Sequence, residues 1–275
     1  MKRILFFISL IFVLTLCGGC SSVENSSGAA AKNGSGTSAP AKSANQSTTA
    51  APADSDNTSA VKKEACTIVI DPGHASKTDL SKEQNAPGSS VMKVKESGGA
   101  EGIFSHTPEY ALNMKVALKL KSLLDGKGYR VVMTKTDNSL MLGNVERAKI
   151  GNRENAALVI RIHADSNEDQ SMNGASILVP AKINWNTNSI ADKSSRYGRI
   201  ILATLTNNVG MTDRGVVVRK DLTGFNWSEV PVVLVEMGFL SNTREDKLLN
   251  TNEYQNKIAS ALAMGIETAI PLINK

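Results

Sequence analysis

Cysteine, histidine and aromatic residues are scarce in this 275-residue chain: three Cys, three His, and 4 % aromatics. Two of the cysteines, Cys17 and Cys20, lie within the first twenty residues, which leaves Cys66 without a partner in the body of the chain. A disulfide framework of the kind that staples small secreted folds is therefore excluded, and a Cys20–Cys66 bridge is the one alternative to a free thiol. The formal charge is +5, but it is spread along the sequence. Without a basic stripe and interleaved aromatics, the chain lacks the footprint of a nucleic-acid binder. A mild positive charge suits anionic polymers or lipid head groups instead. There is no internal repeat. The local metalloprotease signature H-E-x-x-H is also missing, so any metal site has to be assembled from distant segments.

What is present divides into three parts. Lys2 and Arg3 precede an apolar run, Ile4–Leu16, which is too short to span a bilayer comfortably and has the length of a signal-peptide core. It closes on Cys17-Gly18-Gly19-Cys20-Ser21-Ser22, which resembles a bacterial lipobox with Cys17 where Leu is usual. Residues 1–20 are thus expected to be a signal of the lipoprotein type with Cys20 as the lipidated residue, ordinary cleavage and secretion being the alternative. Residues 21–65 are Ser, Ala, Thr, Asn and Gly with almost no large apolar side chain, and are expected to form a disordered linker. A flexible linker of roughly 40 residues has a mean reach of about 35 Å, so a tethered domain would work at some distance from a membrane.

Residues 66–275 are long enough for one domain with a substantial core. Short β-branched runs at Thr67–Ile70, Arg130–Thr134, Leu158–Ile162, Ala175–Val179, Val216–Arg219 and Val232–Val235 read as strands. Helical spacing of apolar residues covers Pro108–Leu124, Val145–Asn155, Ser189–Asn208 and Glu253–Ala269. The alternation predicts an α/β domain with a mixed, mainly parallel sheet of about six strands flanked by helices. Thr107 is the expected N-cap of the first helix, with Pro108 at its first position and Glu109 in its first turn, where a carboxylate complements the helix dipole. The stretch Ser76–His106 has no periodicity and reads as a long loop.

Two of the three histidines follow strand candidates. His74 comes after Thr67–Ile70 through the turn Asp71-Pro72-Gly73, and His163 directly follows Leu158–Ile162. Glu236 follows Val232–Val235 in the same manner. In open α/β sheets, sites form outside the carboxyl ends of the strands, so three ionisable residues past three strands would converge there. A lone His at a strand end is more often structural. Two with carboxylates nearby match the usual ligands of a catalytic zinc, which keeps an open position for water. Arg161 alternates onto the same face as His163 and is a candidate substrate-binding residue, with pairing to a carboxylate near the site or a place at a sheet edge as the two structural readings. Asn226 and Trp227 precede the last strand and are candidate substrate-groove residues, beside the plainer reading of an ordinary loop. Asp71 reads as a turn or supporting residue rather than a ligand.

The segments "IVIDPGH" (Ile68–His74), "PEYALNMKVALKL" (Pro108–Leu120), "ERAKIGN" (Glu146–Asn152), "VIRIHAD" (Val159–Asp165) and "VPVVLVEMGFLSN" (Val230–Asn242) resemble the zinc-dependent N-acetylmuramoyl-L-alanine amidases of bacterial cell walls. The resemblance runs through nearly all of Cys66–Leu272 in the family's order. It implies a six-stranded α/β fold, peptidoglycan as substrate, Zn2+ as cofactor, and cleavage of the amide between N-acetylmuramic acid and L-alanine. Carried over position by position, it implies His74, Glu109 and His163 as metal ligands and Glu236 as the catalytic acid–base. His106, three residues before Glu109, is a competing ligand. Departures lie at Ala75-Ser76, at Asp165 and in the length of the loop before Glu109, and they bear on substrate preference more than on metal binding. Two rivals are a peptidase or deacetylase acting on the same polymer and a non-catalytic wall-binding module. The latter would be expected to lack a ligand or the terminal Glu, and here all four positions are filled. The enzyme is expected to act as an exported monomer.

Overall fold

A computed structural model describes residues 66–273. The signal, the linker and Cys20 lie outside the described residues. In chain order the elements are β1 (Thr67–Pro72), β2 (Asp79–Gln84), β3 (Met92–Glu96), α1 (Glu109–Gly126), β4 (Arg130–Met133), α2 (Asn144–Arg153), β5 (Leu158–Asp165), β6 (Ala175–Pro180), α3 (Trp185–Val209), β7 (Asp213–Arg219), α4 (Thr223–Asn226), β8 (Val232–Phe239), α5 (Thr243–Leu249) and α6 (Asn252–Ile273). Six strands form one sheet in the order β4-β1-β5-β8-β6-β7. β4, β1, β5 and β8 are parallel, β6 runs against β8, and β7 is parallel to β6. The sheet is therefore mixed and mainly parallel, as the alternation of elements predicts.

The aliphatic strands are explained by burial on both faces. Along β1, Ile68 and Ile70 join one apolar cluster and Val69 the other. β5 and β8 divide in the same way, with Leu158, Ile160, Ile162, Val233 and Val235 on one side and Val159, Val232 and Leu234 on the other. The first cluster is completed by Leu112, Val116 and Leu120 of α1, by Ile201 and Leu205 of α3, and by Ile258, Leu262 and Ile266 of α6. The second is completed by Ile190 and Phe225. Burying one such side chain contributes about 1.5–3 kcal/mol, so strands and helices specify one another through this contact. No helix among the described residues is long and apolar enough to cross a membrane.

Three expectations are corrected. Ser76–His106 is not an irregular loop throughout, because β2 and β3 pair as an antiparallel hairpin within it. Its residues are mostly charged and exposed, so no apolar alternation marks it in the sequence. Thr107 does not cap α1. The cap position is Pro108, in an extended conformation with no side-chain cap hydrogen bond, and the Glu109 N–H instead donates to the Ala100 carbonyl at 2.9 Å. Finally, α3 starts at Trp185, where Asn184 and Thr187 form a reciprocal capping box.

Candidate active site

The three central strands β1, β5 and β8 carry the site at their carboxyl ends. β5 and β8 continue through the residues at which the apolar pattern stops, so His163 and Glu236 stand within strands and not just beyond them. In register, His163 lies opposite Glu236, and Glu236 lies opposite Ser176 of β6. Neighbouring strands are about 4.8 Å apart, so the register by itself brings this imidazole and this carboxylate side by side.

His74 and Glu109 come from elsewhere. Past β1, the Gly73 N–H donates to the Ile162 carbonyl at 2.9 Å, which holds the turn against β5. A Cβ on Gly73 would lie 2.1 Å from Cε1 of His163, so only glycine lets the turn pass this ring. His74 itself takes a left-handed backbone (φ 60°), a conformation uncommon for a side-chain-bearing residue. Glu109 opens α1 and is nearly fully buried. Its Oε2 accepts from the Ala100 N–H at 2.9 Å, and its Oε1 accepts from Asn113 Nδ2 at 3.1 Å and the Ala164 N–H at 3.2 Å. Asp246 fastens the approach to Glu109 from α5, accepting from the Phe104 and Ser105 N–H groups at 2.8 and 2.7 Å.

These elements bring three ligand-type side chains to one point. His74 Nε2 is 3.3 Å from Glu109 Oε2, and His163 Nδ1 is 3.0 Å from Glu109 Oε1. One ligand atom from each of His74, Glu109 and His163 fits within a 4.8 Å span. Two imidazoles and a carboxylate form a donor set suited to zinc, whose bonds of about 2.0–2.2 Å put neighbouring ligand atoms roughly 3.4 Å apart. A further sign of fit is that His163 Nε2 and Glu236 Oε2 are enclosed side-chain atoms without a hydrogen-bond partner. Uncompensated burial of such atoms is costly, and a bound ion is one way to satisfy them.

Electrostatics separate the two glutamates. Burial works against the charge on Glu109, but the hydrogen bond from His163 and the nearby imidazoles outweigh it and hold the carboxyl at about 2. Burial pushes Glu236 well above the usual carboxylate range, and the charges of Glu109 and Asp165 add to the effect. Burial also lowers His163, against the pull of Glu109. Glu109 is thus ionised, while the proton affinity of Glu236 is raised.

This difference has a measurable consequence in the metal-free protein. An unfolded Glu loses its proton near ~4.3, whereas the folded state retains the proton on Glu236 to higher pH. Across that window the native state binds more protons than the unfolded one, so this group makes stability fall as pH rises, by up to about 1.4 kcal/mol per pH unit. Glu236→Gln removes the titration. Denaturant melts should show the variant gaining stability relative to wild type as pH rises from ~4.3, and a difference unchanged with pH would contradict the assignment.

Beneath the His163–Glu236 row lies a buried ionic layer. Asp71 pairs in register with Arg161, two residues before His163 on β5. Asp71 Oδ2 accepts from Arg161 Nε at 2.8 Å, and Oδ1 accepts from Arg147 Nη1 at 2.7 Å and Thr134 Oγ1 at 2.6 Å. Arg147 of α2 also donates to the carbonyls of Leu142, Pro72 and His74. It therefore ties the turn bearing His74 to the helix behind it.

The remaining candidates fall elsewhere. Arg161 is buried and its guanidinium is taken up by Asp71 and Asn144. Asn226 is fully buried and donates to the Asn85 and Lys220 carbonyls. Trp227 donates from Nε1 to the Gln84 carbonyl and borders a cavity of about 470 Å³ with Glu83, Lys95 and Lys149. That cavity contains none of the four site residues. A second cleft, of about 330 Å³, is lined by Glu236 itself with Asp165, Arg214 and Arg219. His106 is exposed, contacts Glu101, and stands apart from the cluster. Sequence reasoning missed Glu96, Arg147 and Asp246 as supports of the site. Arg147 lies inside "ERAKIGN", a segment that carried the resemblance, whereas nothing local distinguishes Glu96.

The match to known proteins is extensive. The family model described as N-acetylmuramoyl-L-alanine amidase matches residues 68–268. The chain belongs to this family. An N-acetylmuramoyl-L-alanine amidase of Mycobacterium tuberculosis is 29 % identical over 212 residues, spanning 72 % of this chain and 84 % of the relative. The amidase LytC of Bacillus subtilis is 27 % identical over 199 residues, with 72 % of this chain and 34 % of LytC covered. Among solved structures, the apo N-acetylmuramyl-L-alanine amidase Ami1 of Mycobacterium abscessus superposes with a TM-score of 0.68 at 25 % identity, covering 74 % of this chain and 98 % of Ami1. The amidase family members are hydrolases, and so is this chain.

Proposed function

We propose that the amidase activity of this chain is zinc-dependent and is directed at the amide joining the lactyl group of N-acetylmuramic acid to the L-alanine of a peptidoglycan stem peptide. The observation that carries the reading is the convergence of His74, Glu109 and His163, with Glu236 opposite His163 on the adjoining strand. The three ligands would hold the metal, which when bound supplies Lewis acidity toward the scissile carbonyl and toward water.

Glu236 is the residue that moves the proton. Entering the reaction as the carboxylate, it takes a proton from the attacking water as the new C–O bond forms at the lactyl carbonyl. It then delivers that proton to the alanine nitrogen as the C–N bond breaks, leaving a lactyl carboxylic acid and a free amine, which ionise to carboxylate and ammonium at neutral pH. A carboxyl whose affinity for protons is raised by burial and by neighbouring carboxylates is suited to both halves of this transfer. Glu109 orients the His163 imidazole through Oε1, and the Asp71–Arg147–Arg161 layer keeps the row above it from shifting.

The protein is further proposed to be exported as a monomer and retained at the outer face of the membrane by lipid on Cys20. Residues 21–65 would then carry the 66–275 catalytic domain out to the wall.

Metal content and peptidoglycan digestion, measured together on wild type and His163→Ala, test the reading. Wild type should contain about one zinc per chain, lose activity to a chelator and regain it with added zinc. His163→Ala should hold zinc at least about tenfold more weakly and digest no wall. Full digestion by chelated wild type, with no zinc bound, would overturn it.

A further inference from the structure

The β2–β3 hairpin is charged and largely exposed, yet it buries two carboxylates, Glu83 and Glu96. A buried carboxylate has to be matched by donors, so each one calls for an explanation. Glu83 has a local one: it accepts from the N–H groups of Asn144 at 2.8 Å and Val145 at 3.1 Å, capping the first turn of α2. Glu96 reaches the other way. Its Oε1 lies 2.8 Å from His74 Nδ1 and accepts from the Gly98 N–H at 3.0 Å, while Oε2 is 3.9 Å from Arg147 Nη2. The opposite ring nitrogen of His74, Nε2, faces Glu109.

His74 is the ligand least supported by regular structure, since it follows β1 in a left-handed conformation. A neutral imidazole carries its proton on one nitrogen only. Of the two carboxylates flanking the ring, Glu96 hydrogen-bonds Nδ1 at 2.8 Å, whereas Glu109 only approaches Nε2 at 3.3 Å, so the proton sits on Nδ1 and the lone pair on Nε2, the form able to bind a metal through that atom.

We infer that Glu96 is a positioning residue of the metal centre, holding His74 in the Nδ1–H tautomer with Nε2 turned toward Glu109 and His163. This inference rests on the metal-binding reading above. The hairpin then acts as a clip whose seating matters to the site. Asn144 Nδ2 donates to the Lys95 carbonyl at 3.0 Å, Trp227 Nε1 to the Gln84 carbonyl at 2.8 Å, and Asn226 Nδ2 to the Asn85 carbonyl at 3.1 Å. Asn226 and Trp227 thereby act on the site through the hairpin that they anchor.

Two measurements on the full chain test this, using wild type, Glu96→Ala and Glu96→Gln. The first is zinc affinity by competition with a chromogenic chelator. Glu96→Ala should bind about 10–100-fold more weakly, and Glu96→Gln, which can still accept a hydrogen bond but carries no charge, should fall between. The second is long-range 1H–15N NMR of the histidines in the metal-free protein, where only three imidazoles need assignment. His74 should be the Nδ1–H tautomer in wild type and a tautomer mixture in Glu96→Ala. Should the alanine variant fail to fold, the glutamine variant carries the affinity arm and the wild-type spectrum carries the tautomer arm. Zinc bound by both variants within twofold of a tight wild type, or an Nε2–H tautomer of His74 in wild type, overturns the role of Glu96 and leaves the metal reading standing. Wild type unable to bind zinc overturns the metal reading as well.

Discussion

Glu236→Gln is expected to lower the rate of wall digestion by about 10²–10⁴-fold, the range for loss of a positioned general acid–base. Zinc content should stay at the wild-type level, because Glu236 is outside the ligand cluster. The substitution keeps the shape of the side chain and removes its ability to take and return a proton. KM should therefore change far less than kcat, as expected when the missing interaction is made in the transition state. The size of the effect follows from the site's construction. Glu236 stands on a strand buried on both faces, opposite His163, with one oxygen enclosed and unpartnered. No other described carboxylate combines that position with a raised proton affinity: Asp165 and Glu245 are also raised, but Glu245 hydrogen-bonds the Phe239 and Gly174 N–H groups and Asp165 stands at the last residue of β5. Retention of full activity by a zinc-loaded Glu236→Gln protein would remove Glu236 from the mechanism.

The second large effect is on stability. Asp71→Asn should destabilise the domain by about 3–5 kcal/mol, because it leaves Arg147 and Arg161 buried without their shared counter-charge. For a domain of about 200 residues this corresponds to a fall in Tm of roughly 6–20 °C. The pH dependence distinguishes the cause. Burial alone would raise the Asp71 carboxyl, but the two guanidinium groups and Thr134 hold it far below its ordinary value. A depressed carboxylate contributes stability that is present above its unfolded pKa of ~3.9 and is lost as pH falls through the folded value. The difference between wild type and Asp71→Asn should therefore be full at neutral pH and shrink only in strong acid. A loss of under about 1 kcal/mol at pH 7 would mean that the arginines find other partners, and that the layer under the site is not held by Asp71.

How much of this was legible in the sequence depended on the kind of signal. The strands bearing His163 and Glu236 stood out because burial on both faces requires continuous aliphatic runs, and an ionisable residue ending such a run is conspicuous. What the sequence could not convey was register. Only the pairing of β5 with β8 shows that these two residues are direct neighbours. Arg161 was legible as a charged residue on the site's face. Its engagement with Asp71 depends on the β1–β5 pairing and on Arg147 arriving from α2, both long-range events. The β2–β3 hairpin was the least legible element. It adds little to the core and is seated by side-chain contacts with α2 and α4, so neither a period-two pattern nor a turn signature announced it. Glu96 was hidden with it, although it touches a candidate ligand as directly as Glu109 does.

The most direct test of the central claim is the chemical identity of what the enzyme releases. Purified peptidoglycan digested with the zinc-loaded protein should yield, by liquid chromatography and mass spectrometry, free stem peptides beginning with an unblocked L-alanine. The glycan strands should keep intact lactyl carboxylates and acetyl groups. Peptides cut at an internal bond, or glycans that have lost acetyl groups, would contradict the account and assign the same four residues to a peptidase or a deacetylase.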